Sequence, residues 1–115
     1  MSEATIDRAV FEELKTTAGA DFVCELVETF LTEAPGMLAE LKRALDANDA
    51  ESFRRVAHSL KSNGNTFGAS ALAAMAKSLE LGGIGAARAA DGEALSALSG
   101  EYARVARELV ELKRA

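Results

Sequence analysis

Cysteine, proline, histidine and tryptophan are scarce in this sequence of 115 residues, which contains one of each of the first three and no tryptophan. A single cysteine excludes an internal disulfide, and Cys24 lies in a segment with helical periodicity, where a thiol usually packs as a small apolar group. A di-iron or haem bundle is disfavoured because paired Glu-x-x-His motifs need two histidines. The scarcity of proline and the abundance of alanine, leucine and glutamate favour helix over sheet.

Long apolar runs and an excess of positive charge are also absent. No apolar run approaches the roughly 18 residues that a transmembrane helix needs, and the N-terminus lacks the pattern of a signal peptide. We therefore expect a cytoplasmic protein with no membrane partner. The formal net charge is −5 and the pI is about 4.9, so the basic surface typical of a nucleic-acid binder is missing and no nucleic-acid partner is expected.

The charge is nevertheless unevenly distributed along the chain. Residues 1–35 contain two basic and eight acidic side chains, whereas residues 36–65 contain five basic and four acidic side chains. The second stretch can therefore form a local positive patch on an acidic protein.

Apolar residues recur at spacings of three and four in five segments, which is the pattern of amphipathic helices. The first segment is short, can begin at Thr5 or Asp7 and should end at Gly19. The second continues in phase through Pro35, which predicts either a kink or a new helix with proline in its first turn. The apolar positions of these two segments are Ile6, Val10, Phe11, Leu14, Val23, Leu26, Val27, Phe30, Ala34, Met37, Leu38, Leu41 and Leu45.

Three further segments complete the helical pattern. The third follows a turn and N-cap at Asn48 and Asp49 and runs into the 60s, and the chain is expected to turn around Gly68. The fourth should end in a loop at the glycine-rich residues 82–85. The apolar positions of these segments are Phe53, Val56, Ala57, Leu60, Leu72, Met75, Ala76, Leu79, Leu95, Leu98, Tyr102, Val105, Leu109 and Leu112.

The lengths and connections of these segments predict the fold. Four long amphipathic helices joined by short connections and preceded by a short helix indicate an all-α, antiparallel up-down four-helix bundle with a short additional N-terminal helix. No repeat period indicates a solenoid. A chain of 115 residues can enclose one modest core, which predicts a single domain over residues 1–115. Since each helix has one apolar face to bury, we expect a monomer.

The single histidine, His58, lies on the third helix away from its apolar stripe. At about 100° per residue it falls about 140° from the centre of that stripe, so the imidazole should face solvent. The polar side chains within about 60° of it on the same face are Arg54, Lys61, Ser62 and Asn65. A lone exposed histidine is usually an ordinary surface residue, but the residues that follow this one suggest a function.

The segment around His58 resembles the signature of the histidine phosphotransfer (HPt) family. Residues 57–69 read AHSLKSNGNTFGA, and the family pattern is Ala-His-x-Leu-Lys, then Gly or Ser, Ser, and Ser or Ala, followed by an apolar residue and Gly-Ala. Asn63 and Gly64 depart from the residues usual at their positions. The further matches, which extend over most of the chain, are Phe30, Pro35, Asp49, Leu79 and Glu80.

The resemblance implies a role for each residue of the site. His58 would be the phosphorylated group, Lys61 would stabilise the phosphoryl charge, and Glu80 would reach the imidazole from the neighbouring helix. These roles are chemically reasonable, because a neutral imidazole is nucleophilic and a lysine suits phosphate as a point charge. A carboxylate on the far ring nitrogen would also raise the basicity of the attacking nitrogen.

Four more residues near His58 are candidates for contact with a partner. The small Ser62 leaves room for the phosphoryl group and for an incoming protein. Arg54, Arg55 and Asn65 lie near the same face, and the two arginines suit the acidic clusters expected in response-regulator sites. The resemblance implies that the partners are response-regulator receiver domains and a hybrid sensor histidine kinase.

The sequence provides no nucleotide-binding machinery. No glycine-rich loop follows a strand, and no carboxylate cluster suited to Mg²⁺ lies beside His58, so we expect no cofactor and no kinase activity. By the resemblance, a receiver domain contributes the aspartyl phosphate and the Mg²⁺. The chain would then accept the phosphoryl group on His58 and pass it to another receiver domain.

Two alternatives belong to other classes of protein. The serious one is a catalytically idle helical adaptor that docks receiver domains without phosphorylation, although such a protein would not need His58, Lys61 and Glu80 together. The other is a dimerisation helix of a histidine kinase, in which an acidic residue usually follows the histidine and a proline comes a few positions later. Here Ser59 follows His58, and no proline occurs after Pro35.

Overall fold

Helices make up the fold in the residues that the structure describes. The computed structural model describes residues 5–89 and 93–114, and within these ranges no strand is present. The five helices are α1 (Arg8–Ala18), α2 (Ala20–Asp46), α3 (Ala50–Phe67), α4 (Ser70–Ala89) and α5 (Glu93–Arg114). The predicted all-α class is confirmed. None of the helices in these ranges is both long enough and apolar enough to cross a membrane.

Aspartate side chains cap the first turns of α1 and α3. The Asp7 carboxylate accepts a hydrogen bond from the backbone N–H of Ala9 at 3.0 Å, and the Asp49 carboxylate accepts one from Ser52 at 3.1 Å. Each bond satisfies an N–H group that the first turn of a helix leaves without a partner. Of the two caps considered for α1, Asp7 is therefore correct. Hydrogen bonding from Ser52 holds the pKa of Asp49 below its usual range.

Helix α2 runs from Ala20 to Asp46 through Pro35 without interruption. The prediction of a new helix starting at this proline is therefore wrong. A proline inside a helix lacks one backbone N–H, and Pro35 lies on the exposed side of α2. The buried side keeps its regular spacing, and Ala34 and Leu41 both contribute to the core.

The glycine-rich residues 82–85 break α4 without ending it. Gly83 has φ 68° and ψ −168°, a backbone conformation that side chains other than hydrogen disfavour. The predicted break at the glycine cluster is therefore confirmed, but the chain becomes helical again beyond it and buries Ile84 and Ala87, so the prediction of a loop there is wrong. The Arg88 guanidinium secures this last part of α4, because it donates a 2.7 Å hydrogen bond to the backbone carbonyl of Leu45 at the end of α2.

Buried side chains from all five helices form one core. Helices α2, α3, α4 and α5 contact one another in a ring, and α1 lies against α2 and α3. Helix α3 packs most extensively against α4, and in the described part of the chain it does not contact α5. The largest fully buried side chains are Phe11, Phe53, Ile6, Leu41, Leu60, Leu72, Leu98, Leu109, Val23, Val27 and Val105.

The segment before α1 is tied to distant parts of the bundle. The backbone N–H of Ile6 donates to the Glu108 carboxylate of α5 at 2.9 Å, and that of Asp7 donates to the carbonyl of Gly68 at 2.8 Å. The Ile6 side chain is fully buried. Helix α1 therefore has a fixed position across the α3–α4 turn.

Two glycine-to-alanine substitutions should have opposite effects on stability. On Gly64→Ala the new Cβ would lie 3.1 Å from the backbone nitrogen of Ala73 and 3.2 Å from the carbonyl oxygen of Ala69, so the variant should unfold at lower urea concentration than the wild type. On Gly36→Ala the new Cβ meets nothing within 4 Å, and stability should rise by about 0.5–1 kcal/mol because alanine has the higher helix propensity. Urea titrations of both variants measure the difference, and equal stabilisation would contradict the close packing at Gly64.

Candidate functional site

His58 projects from the outer face of α3 into solvent. Ala57 and Leu60, its neighbours on α3, are fully buried, whereas the His58 side chain is 57% exposed. The predicted outward orientation is therefore confirmed. One side of α3 thus packs against the core, and the imidazole on the other side remains open to a partner molecule.

Helices α3 and α4 approach each other closely at Gly64 and Ala73. Because Gly64 has no side chain, the backbone of α4 can lie where a larger residue would clash. Glu80 lies two turns after Ala73 on the same face of α4. The packing that requires glycine on α3 therefore also brings a carboxylate from α4 to His58.

The Glu80 carboxylate bridges the two basic side chains of the site. Its Oε2 atom lies 2.9 Å from Nδ1 of His58, and its Oε1 atom lies 3.0 Å from Nζ of Lys61. The Glu80 side chain is only 16% exposed. The structure therefore joins His58, Lys61 and Glu80 in one connected cluster. The family resemblance had assigned these residues as the reactive group and its neighbours.

The environment of Glu80 favours its ionised form. Hydrogen bonding from Lys61 is the main cause that lowers the pKa of Glu80, and hydrogen bonding from His58 adds to it against the opposing effect of burial. The Oε1 atom is shielded from solvent, and the Lys61 ammonium at 3.0 Å is the group that compensates this buried oxygen.

The ionised Glu80 in turn defines the state of the imidazole. A carboxylate can only accept a hydrogen bond, so a neutral His58 must carry its proton on Nδ1. Its Nε2 atom then has a free lone pair, and this atom forms no hydrogen bond to residues 5–89 and 93–114. The arrangement presents a nucleophilic nitrogen to solvent.

An open depression of about 380 Å³ adjoins the imidazole. Two exposed arginines one turn before His58, Arg54 and Arg55, line it. Glu51 and Ser59 line it as well and were missed by the sequence reasoning. The position of Glu51, two turns before His58 on one helix, was the signal that could have found it.

The remaining predicted contacts lie on the other side of His58. Ser62 and Asn65 are exposed on the later turns of α3, and neither lines the depression. The small size of Ser62 leaves the surface beside His58 open. The contact of both residues with a partner stays a prediction.

The described residues do not form a metal centre. Within residues 5–89 and 93–114, no group of three or more histidine, cysteine, aspartate and glutamate side chains is close enough together to hold a metal ion. Cys24 is half-buried between α2 and α5, where its thiol lies 3.8 Å from the carbonyl oxygen of Lys113.

Comparison with known protein families places the site in a wider context. The family model of the Hpt domain matches residues 25–111, a range that includes all of α3 and α4. The chain belongs to the Hpt domain family. No curated protein matches it significantly.

A solved structure supports the same assignment of this Hpt domain. Histidine-containing phosphotransfer protein B (HptB) from Pseudomonas aeruginosa PAO1 is similar to it, with 27% sequence identity and a TM-score of 0.82. The similarity covers 98% of this chain and 97% of that chain. The helical fold of the Hpt domain is thus shared over nearly its full length.

The titration of Glu80 should depend on Lys61. In the folded Hpt domain the carboxyl should titrate below its ordinary value of 4.5, and Lys61→Met should raise its pKa because the main hydrogen-bonding cation is removed. The stability that the ionised carboxylate contributes is therefore fully present above about pH 4.5 and is lost as the pH falls through the folded pKa.

Carboxyl ¹³C NMR of the two proteins measures both titration midpoints. Lys113→Met is a matched control, since Lys113 pairs with Glu28 at a distance from the site. A wild-type midpoint at or above 4.5, or one that Lys61→Met leaves unchanged, would contradict the described cluster.

Proposed function

We propose that this Hpt domain carries a phosphoryl group on Nε2 of His58 and transfers it between receiver domains of a two-component phosphorelay. The observation that carries the proposal is the contact of Nδ1 with Glu80, which leaves Nε2 unprotonated on an exposed side chain. Membership of the Hpt domain family supports it. The similar HptB protein is a histidine-containing phosphotransfer protein, which agrees with it.

The bonds that form and break in each transfer involve only His58 and the aspartyl phosphate, and no other site of this chain takes part. Nε2 of His58 attacks the phosphorus of an aspartyl phosphate, the N–P bond forms, and the P–O bond to the aspartate breaks. The aspartate leaves as a carboxylate with the bonding electron pair. The proton on Nδ1 stays on the ring, and the Glu80 carboxylate stabilises the positive charge that the imidazole gains.

The partner supplies the rest of the chemistry in this proposal. The carboxylate nearest His58 belongs to Glu80 and is already engaged by Lys61. We therefore assign the Mg²⁺ that phosphoryl transfer requires to the receiver domain, with no cofactor and no kinase activity in this chain. The proposed partners are response-regulator receiver domains and a hybrid sensor histidine kinase.

The architecture suits a small carrier of this kind. We propose that the four long helices alternate in direction, since short connections link consecutive helices that pack together in the ring. We also propose that the chain is a single domain over residues 1–115 and acts as a monomer in the cytoplasm. The exposed face of α3 would then be available to one receiver domain at a time.

Transfer of a labelled phosphoryl group tests the proposed function. A ³²P-labelled receiver domain is mixed with the Hpt domain in the presence of Mg²⁺, and a panel of receivers is compared. We expect label that is stable in alkali and labile in acid on the wild type, and none on His58→Gln. Failure of every receiver to transfer label, with binding retained in a pull-down, would favour the adaptor alternative and contradict the proposal.

Removal of the Glu80 carboxylate should slow the transfer without abolishing it. Glu80→Ala releases the tautomer of His58 and removes the charge that stabilises the product imidazolium, so the rate constant should fall by about tenfold or more. Rapid-quench measurement with one receiver gives the rate, and Glu33→Ala on the exposed side of α2 is the control. A rate equal to that of the wild type would assign Glu80 a structural role only.

A further inference from the structure

The basic side chains around His58 differ in whether they already form an ion pair within this chain. The Lys61 ammonium lies 3.0 Å from the Glu80 carboxylate and is three-quarters buried. Arg54 and Arg55 are exposed, and no carboxylate of the described residues lies within ion-pair distance of either guanidinium. In the unphosphorylated protein, the positive charge free to meet an incoming anion therefore belongs to the two arginines.

The position of this free charge is next to the reacting imidazole. Arg54, Arg55 and His58 line the same depression, which is open to solvent. Arg55 donates a long hydrogen bond of 3.4 Å to the hydroxyl of Ser52, and, next to hydrogen bonding from Ser52, its charge also helps to lower the pKa of Asp49. A guanidinium presents several N–H donors in a plane that matches two phosphoryl oxygens, so two such groups suit a dianion.

Negative charge at the depression does not cancel the two arginines. Glu80 lines it, but its charge is balanced by Lys61 and by the hydrogen bond to His58. Glu51 also lines it, and it forms no ion pair in the described part of the chain. Within the depression the two guanidinium groups thus face one carboxylate that has no ion pair, and Asp49, which does not line it, acts on Arg55 as well.

We infer that the depression lined by Arg54 and Arg55 is an anion-binding site for the phosphoryl group on His58. This inference rests on the proposed function and deepens it, since it assigns the binding of the phosphoryl oxygens to the arginines. Lys61 then acts as a positioning residue that holds Glu80 in its ionised form. The shared chemistry is that of a phosphate dianion, whether it is attached to His58 or free in solution.

The equilibrium of phosphoryl transfer separates this role from simple docking of a partner. A contact made only in the docked complex changes how fast equilibrium is reached but leaves the ratio of free phosphorylated Hpt domain to free phosphorylated receiver unchanged. A contact with the phosphoryl group itself changes that ratio. The measurement is therefore made on label partitioned to equilibrium at protein concentrations too low for much complex.

The double variant Arg54→Ala Arg55→Ala should lower this equilibrium constant by about threefold to tenfold, as expected for two exposed charge-assisted contacts. The matched control is Lys42→Ala Arg107→Ala, which removes the same charge from α2 and α5. An equilibrium constant within twofold of that control would overturn the inference. The inference would also be overturned if Lys61→Ala lowered the equilibrium constant and the arginine double variant did not, because the lysine would then hold the phosphoryl group.

Inorganic phosphate tests the site without any phosphorylation. At constant ionic strength, NMR titration of the wild type with phosphate should give saturable shifts of the Arg54 and Arg55 side-chain N–H signals, with chloride as the comparison. Glu51→Gln should bind phosphate about twofold more tightly because it removes the opposing charge. Shifts that are not saturable, or that are the same with chloride, would overturn the inference. If the wild type accepts no label, the proposed function fails, but this titration still tests the depression.

Discussion

The close contact of α3 with α4 at Gly64 and Ala73 determines the arrangement of the groups around His58. A side chain larger than hydrogen on α3 would meet the backbone of α4 at this point, so the distance between the helices is set by packing in the core. Glu80 lies two turns beyond the contact and is delivered to the imidazole by a rigid element. The site is thus a consequence of helix packing, and no loop is needed to place its reactive groups.

The ionised carboxylate of Glu80 connects the packed core to the reactive histidine. A carboxylate at this depth loses most of its hydration, and it remains ionised because Lys61 and His58 both contact it. One acidic side chain therefore performs two tasks, since it fixes the proton of His58 on Nδ1 and also engages the nearest lysine. The two arginines on the preceding turn form no ion pair in residues 5–89 and 93–114, and in our inference they bind the phosphoryl group.

Much of this arrangement could be predicted from the sequence because helices leave periodic signals. The apolar spacing, the caps at Asp7 and Asp49 and the outward position of His58 depend on local geometry, and the structure confirms them. The fate of α4 could not be predicted in the same way. Glycine at residue 83 correctly indicated a break, but the burial of Ile84 that restores the helix depends on its neighbours in the bundle.

The ionic contacts of the site were harder to predict than its residues. The resemblance to the HPt family predicted the contact of Glu80 with the imidazole. It assigned Lys61 to the phosphoryl group, however, and not to the Glu80 carboxylate. The contact between Lys61 and Glu80 joins two helices, and helical periodicity within one segment contains no information about it. Glu51 could have been found from its two-turn spacing to His58 on α3, whereas the depression itself also depends on Glu80 of α4.

In the proposed function, Glu80 holds the proton on Nδ1 and so makes Nε2 the reactive nitrogen of His58. The most direct test is NMR of the phosphorylated protein with ¹⁵N-labelled histidine, in which coupling to ³¹P identifies the nitrogen that is bonded to phosphorus. We predict coupling to Nε2, with Nδ1 still protonated. Coupling to Nδ1 would contradict this prediction, because that atom would then have to leave its contact with Glu80 before it could react.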